Sequence, residues 1–148
     1  MTGKIRWQLN YFLTEKSCTK GNFLLNLYIF MRVRLFREDT VEEFMFHHAN
    51  GRKHFEAFLT GIRYADWNEP NDIIRTINSN LLGDGSNRVV FDIGGNGRNA
   101  YRIIGEYSFN HHYKKSNTYK VHLYINWIGT HEDYNNLTNE QKLTTNDY

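Results

Sequence analysis

The side chains best suited to chemistry lie in the second half of this chain. His131 stands in the turn Gly129-Thr130-His131 after a strand-like run, and Tyr134 follows three residues later. An imidazole titrates near pH ~6.5, so it can give or take a proton near neutrality. A phenol can donate a proton or stack on an unpaired base. Arg88, Arg102 and Lys120 precede them, and guanidinium groups grip phosphate in bidentate fashion. Together these residues describe proton transfer beside an anion-binding surface. Each also has a plain structural reading. The three cations suit salt bridges on a solvated sheet face, and Tyr134 suits a cap on the core. His131 suits the first turn of a short helix, with Thr130 as N-cap and Asp133 at its third position.

The elements that must position these groups are three runs rich in β-branched and aromatic residues, 88–93, 101–109 and 119–129. Alternation puts Val89, Phe91 and Ile93 on one side, with Tyr101, Ile103, Tyr107 and Phe109, and with Val121, Leu123, Ile125 and Trp127. That side reads as core. The other side carries Arg88, then Arg102 with Glu106, then Lys120, His122, Tyr124 and Asn126, a polar and mostly basic face. The glycine- and asparagine-rich stretch 94–99 is a hairpin loop, and no helix follows it to make a phosphate cradle. With a second polar connection at 111–118, the runs predict an antiparallel meander.

Upstream, Arg32 to Phe36 alternates as a short strand. A helix begins after it, with acids at its start and His47-His48 at its end, as the helix dipole favours. A second helix, about 52–65, places Phe55, Phe58, Leu59 and Ile62 on one face. Residues 71–77 read as a helical turn or loop, and 78–87 as a lead into the meander. Two helices followed by an antiparallel sheet indicate an α+β domain, the helices on the apolar sheet face.

The 148 residues make one domain with room for a real core. Net charge is only +2, which excludes a global field of the nucleic-acid-binding kind. The distribution is uneven: residues 84–131 hold six Lys/Arg against three acids, and 132–148 one Lys against four acids. The single Cys, Cys18, excludes an internal disulfide and fits a reducing cytoplasm. His47-His48, His54 and His111-His112 lack Cys or acidic partners at metal-ligand spacing, so no metal site or cofactor is expected. His122, in mid-strand, reads as structural. The apolar run Phe23 to Phe30 is too short to span a bilayer, and no small-residue cleavage site follows it. Residues 1–30 are either an added strand or an extension ahead of a natural start at Met31, and the second reading is preferred.

Four stretches in order carry a resemblance: Ala65-Asp66-Trp67 with Pro70 and Asp72-Ile73; Asn87 to Ile93 with Gly95-Asn96; Tyr101-Arg102-Ile103-Ile104; and Ile128-Gly129-Thr130-His131 with Tyr134. From Met31 to about Leu137 the chain resembles HigB-type toxins, mRNA interferases of the RelE/ParE superfamily in type II toxin-antitoxin systems. The resemblance implies a RelE-like toxin domain over 31–137, followed by a polar tail, 138–148. It implies a metal-independent endoribonuclease that cuts mRNA, usually on the ribosome, and is silenced by a HigA-like antitoxin. In that chemistry the ribose 2′-OH attacks the adjacent phosphate, which makes His131, Arg102 and Tyr134 the catalytic candidates. Arg88, Arg98, Lys120 and Asn126 are the RNA-binding candidates. Two departures stand out: the 94–100 hairpin is longer than the usual form, with Arg98 in place of its missing basic residue, and Asn126 occupies a position where members often carry Arg. The alternatives are a non-enzymatic RNA- or protein-binding module of the same fold, and a gyrase-directed member of the superfamily.

The onset of alternation at Arg32 generates a direct test. A chain beginning at Met31 is expected to fold and keep the activity of the longer one; a thermal melt without a cooperative transition would count against it.

Overall fold

The computed structural model describes residues 32–83, 85–95, 97, 100–110 and 119–148. They form an α+β fold whose five-stranded mixed sheet has the order β1-β5-β4-β3-β2. The strands are β1 (Val33–Phe36), β2 (Ser79–Leu82), β3 (Arg88–Ile93), β4 (Tyr101–Phe109) and β5 (Val121–Thr130). β3, β4 and β5 are the expected antiparallel meander, while β1 lies parallel to β5 on its outer side. Helices α1 (Glu38–His47), α2 (Arg52–Tyr64) and α3 (Pro70–Thr76) connect β1 to β2, and α4 (His131–Asn136) and α5 (Asn139–Thr144) follow β5. Among the described residues no helix is long and apolar enough to cross a membrane.

Local chemistry sets these boundaries. Glu38 and Asp39 occupy the first turn of α1 and His47 its last, matching the dipole. The His48 imidazole stacks on Phe44 and its Nδ1 lies 2.9 Å from the Phe44 carbonyl, so this histidine closes a helix. Pro70 opens α3, where its missing N–H costs nothing. The Asp72 carboxylate accepts from the backbone N–H of Asn68 and Glu69. Those bonds, the Asn68 one foremost, hold its pKa below the usual carboxylate value. Trp67 is fully buried and donates to Thr76 Oγ1 at 2.6 Å, tying the loop after α2 to the end of α3.

The core lies between α1 and α2 and one sheet face. Phe55, Phe58 and Ile62 of α2 meet Val89, Phe91, Ile93, Tyr101, Ile103, Leu123 and Ile125, so the expected apolar face is found. Three expectations need correction. Residues 78–87 are more than a lead-in, since they contain edge strand β2; its sequence Ser-Asn-Leu-Leu is too short and mixed to announce itself. Trp127 is not on the core face. Between Ile104↔Trp127 and Gly105↔Ile125 the register slips, leaving Asn126 as an extra residue of β5. This bulge sends Trp127 to the far face and brings Ile128 into the core. That far face, in turn, is not uniformly polar, because Val90, Ile104 and Trp127 form a second small apolar cluster at its centre, flanked by Leu82, Tyr134 and Leu137.

Phe91 is fully buried and meets Phe58 edge-on at 5.0 Å. Phe91→Ala is expected to cost about 3–5 kcal/mol in urea unfolding; a loss below 1 kcal/mol would show that the helix layer is not bound to the sheet there.

Candidate active site

The far face of the sheet is built in rows. Cross-strand pairing sets Asp92 beside Arg102 and Arg102 beside Gly129; the next row is Val90, Ile104 and Trp127; the next is Arg88, Glu106 and Tyr124. At its end β5 turns directly into α4. Thr130 caps that helix: its Oγ1 accepts from Asp133 N at 3.1 Å, and the Asp133 carboxylate accepts from Thr130 N at 3.2 Å. The capping box expected from the sequence is therefore present. His131 N donates to Ala100 O, pinning the start of the helix to the beginning of β4.

The cap aims two side chains. His131 and Tyr134, three apart on α4, share a helix face. The Tyr134 ring leans on Trp127, centroids 6.2 Å apart. Trp127 in turn lies over Gly129, where a Cβ would collide with the indole. His131 Nε2 lies 3.2 Å from Asn135 Nδ2, and its Nδ1 is buried with no hydrogen-bond partner among the described residues. A buried imidazole nitrogen without a partner among the described residues is an unusual group, since buried polar atoms are nearly always bonded.

Arg102 lies cross-strand from Gly129, close enough to Tyr134 to act on its phenol. It is 3 % exposed, its Nε meets Asp92 Oδ1 at 2.8 Å, and Nη1 donates to the Gly95 and Tyr101 carbonyls. It is thus a fixed positive charge at the site. Burial pushes the Tyr134 phenol above its ordinary pKa, Arg102 pulls it partly back and Asp92 adds to the rise. The phenol is therefore neutral throughout the physiological range.

The other expected residues lie elsewhere. Arg88 is buried, with Nη1 donating to Thr145 O at 2.8 Å and Nη2 3.7 Å from Glu106 Oε2. Asn126 is buried beneath residues 146–147: its Nδ2 donates to Asn146 Oδ1 and its carbonyl accepts from Asp147 N. Lys120 precedes β5, whereas His131 follows it, so the strand's ten residues separate them by roughly 30 Å. There its Nζ meets Asp66 Oδ1 at 2.6 Å and Asn68 Oδ1 at 2.9 Å. Arg98 lies outside the described residues. His122, which read as structural, packs edge-on against Phe36 at that same far end. Among the described residues no three His, Cys, Asp or Glu side chains converge as a metal site would require.

Two neighbours of the site had not been singled out. Trp127 was assigned to the wrong face because the bulge has no signature in alternation. Lys142, whose Nζ lies 4.4 Å from the centre of the Tyr134 ring, arrives from α5 by tertiary docking, which no local pattern encodes.

No curated protein sequence matches the chain. A family model does: that of the HigB toxin, described as the RelE-like toxic component of a toxin-antitoxin system, matches residues 52–137, more than half of the sequence. That span runs from the start of α2 through the meander to the end of α4, and so takes in Arg102, His131 and Tyr134. The chain therefore belongs to the HigB toxin family and is the toxin of a toxin-antitoxin pair.

Proposed function

We propose that this toxin is a metal-independent endoribonuclease that cuts mRNA, in the ribosome-bound state: a ribose 2′-OH loses its proton and bonds to the adjacent phosphorus, the P–O5′ bond breaks, and the products are a 2′,3′-cyclic phosphate and a 5′-OH. One observation carries the reading. The Nδ1 of His131, buried and without a partner among the described residues, sits one helical turn before a neutral phenol on which the fixed Arg102 guanidinium acts. His131 moves the proton, as general acid or base. Tyr134 stays protonated and offers a hydrogen bond or a stacking surface to the substrate. Arg102, committed to Asp92, biases the local potential toward the negative charge that builds on the phosphate.

A second reading has its own support. Arg88 and Arg102 are engaged with internal partners and Asn126 is covered, an arrangement that also suits a non-enzymatic binding module of the same fold. Primer extension on mRNA after induction separates the two, because only a nuclease leaves new 5′ ends within reading frames.

His131→Gln keeps the size and some hydrogen bonding of the side chain while removing proton transfer. Cleavage is expected to fall by about 10²- to 10⁴-fold, with fold and antitoxin binding intact. Cutting within a few-fold of wild type would remove His131 from the chemistry.

The antitoxin that the family implies is, in this proposal, a HigA-like protein acting in the cytoplasm. Co-expression of the neighbouring gene product should rescue growth. Toxicity unrelieved by any neighbouring gene product would break the pairing.

A further inference from the structure

Cleavage through a dianionic phosphorane needs a cation at the phosphate, and of the four expected from the sequence the three among the described residues are otherwise engaged. The side chains of Arg88 and Arg102 are 8 % and 4 % exposed and bond to internal carbonyls and carboxylates. Lys120 is at the other end of β5, beside Asp66. Lys142 is placed differently. Its ammonium stands over the Tyr134 ring and makes no ion pair among the described residues.

Its position is built rather than incidental. Thr138 and Gln141 form a second capping box that starts α5. Beyond the helix the chain is tied to the sheet at three points. Arg88 Nη1 donates to Thr145 O at 2.8 Å and reaches Lys142 O at 3.5 Å. Asn146 Oδ1 accepts from Arg37 Nη1 at 2.9 Å and from Asn126 Nδ2 at 3.3 Å. Asp147 N donates to Asn126 O at 2.9 Å. A buried guanidinium spent on the carbonyls of one segment fixes that segment, and here it fixes the backbone of Lys142.

Resting on the nuclease reading above, we infer that Lys142 is the cation that meets the scissile phosphate, and that Arg88 positions it through the backbone of α5. Both α5 and its lysine lie beyond the residues 52–137 that the family model matches, so the C-terminal segment completes the site. The ammonium neutralises charge that grows as the 2′-oxygen bonds to phosphorus and the 5′-oxygen leaves, while His131 takes the 2′-OH proton or gives one to the 5′-oxygen.

The test uses the full chain, with cleavage read on ribosome-bound mRNA and affinity read on a short single-stranded RNA. Lys142→Met preserves the aliphatic packing over Tyr134 and removes the charge; Lys142→Arg restores it. Cleavage by Lys142→Met is expected to drop about 10²-fold, and the dependence of log K for RNA on log salt to become shallower by about 0.7 to 1. Lys142→Arg should recover most of both. A purely structural lysine would leave the salt slope unchanged. Lys142→Met cutting within a few-fold of wild type with an unaltered slope would overturn the assignment, provided His131→Gln is inactive in the same assay. If His131→Gln is also fully active, the nuclease reading itself falls.

Discussion

One extra residue in β5 determines what the far face of this sheet can hold. Without the bulge at Asn126, strict alternation would turn Trp127 into the helix-covered core and point Ile128 outward. With it, Trp127 stands over Gly129 and supplies the apolar wall on which Tyr134 leans. The bulge also frees backbone groups from the ladder, and they are not wasted. The Asn126 carbonyl accepts from Asp147, and the neighbouring Ile125 carbonyl accepts from Arg37. The irregularity that aims the site is therefore the same one that holds the C-terminal segment.

Two buried guanidinium groups complete this arrangement, and their energetics explain their partners. A charge taken from water costs several kcal/mol unless its hydrogen-bonding capacity is filled, and breaking a buried pair typically costs about 3–5 kcal/mol. Arg102 meets that demand with Asp92 and two carbonyls; Arg88 meets it with Glu106 and the end of α5. Such groups contribute little net stability, but they tolerate only one geometry. Arg102 joins the far side of β3 to the hairpin at Gly95, and Arg88 joins β3 to a segment 57 residues later. Both arginines are thus better explained as fixing loops around the site than as grasping a ligand.

The fold was legible where a periodic pattern reaches a core. Phe55, Phe58 and Ile62, and the odd-numbered positions of β3 and β4, announced the helix-covered face because each is repeated at the right spacing. The cap at Thr130 and Asp133 was equally legible, since a capping box is a local motif. β2 was missed because four residues give no reliable period. Trp127 was misplaced because a bulge shifts register without leaving a composition signal. The candidate site was only half legible: residue type and turn context singled out His131 and Tyr134, whereas the bonds of Arg88 and Asn126 to the C-terminal segment are visible only in the structure. Lys142 could not be found from its surroundings in sequence, which describe a polar, acidic tail.

The hydrogen bonding around His131 bears on when it is able to act. Where Asn135 Nδ2 donates to Nε2, the neutral ring carries its proton on Nδ1, the atom that is buried and unbonded among the described residues. An unsatisfied buried donor costs about 1–3 kcal/mol, and α4 holds it in place because Thr130, Asp133 and the bond to Ala100 fix the helix start. In the proposed reaction that cost is recovered when the ring turns to bring Nδ1 out of its buried position to a phosphate or ribose oxygen. The gain is largest where negative charge on that oxygen is greatest, namely in the transition state, so the interaction raises the rate more than it strengthens ground-state binding. A surface histidine already bonded to water would gain less. In the proposed mechanism, placing the imidazole at the first residue of a capped helix beside Asn135 stores a small penalty that the reacting phosphate relieves.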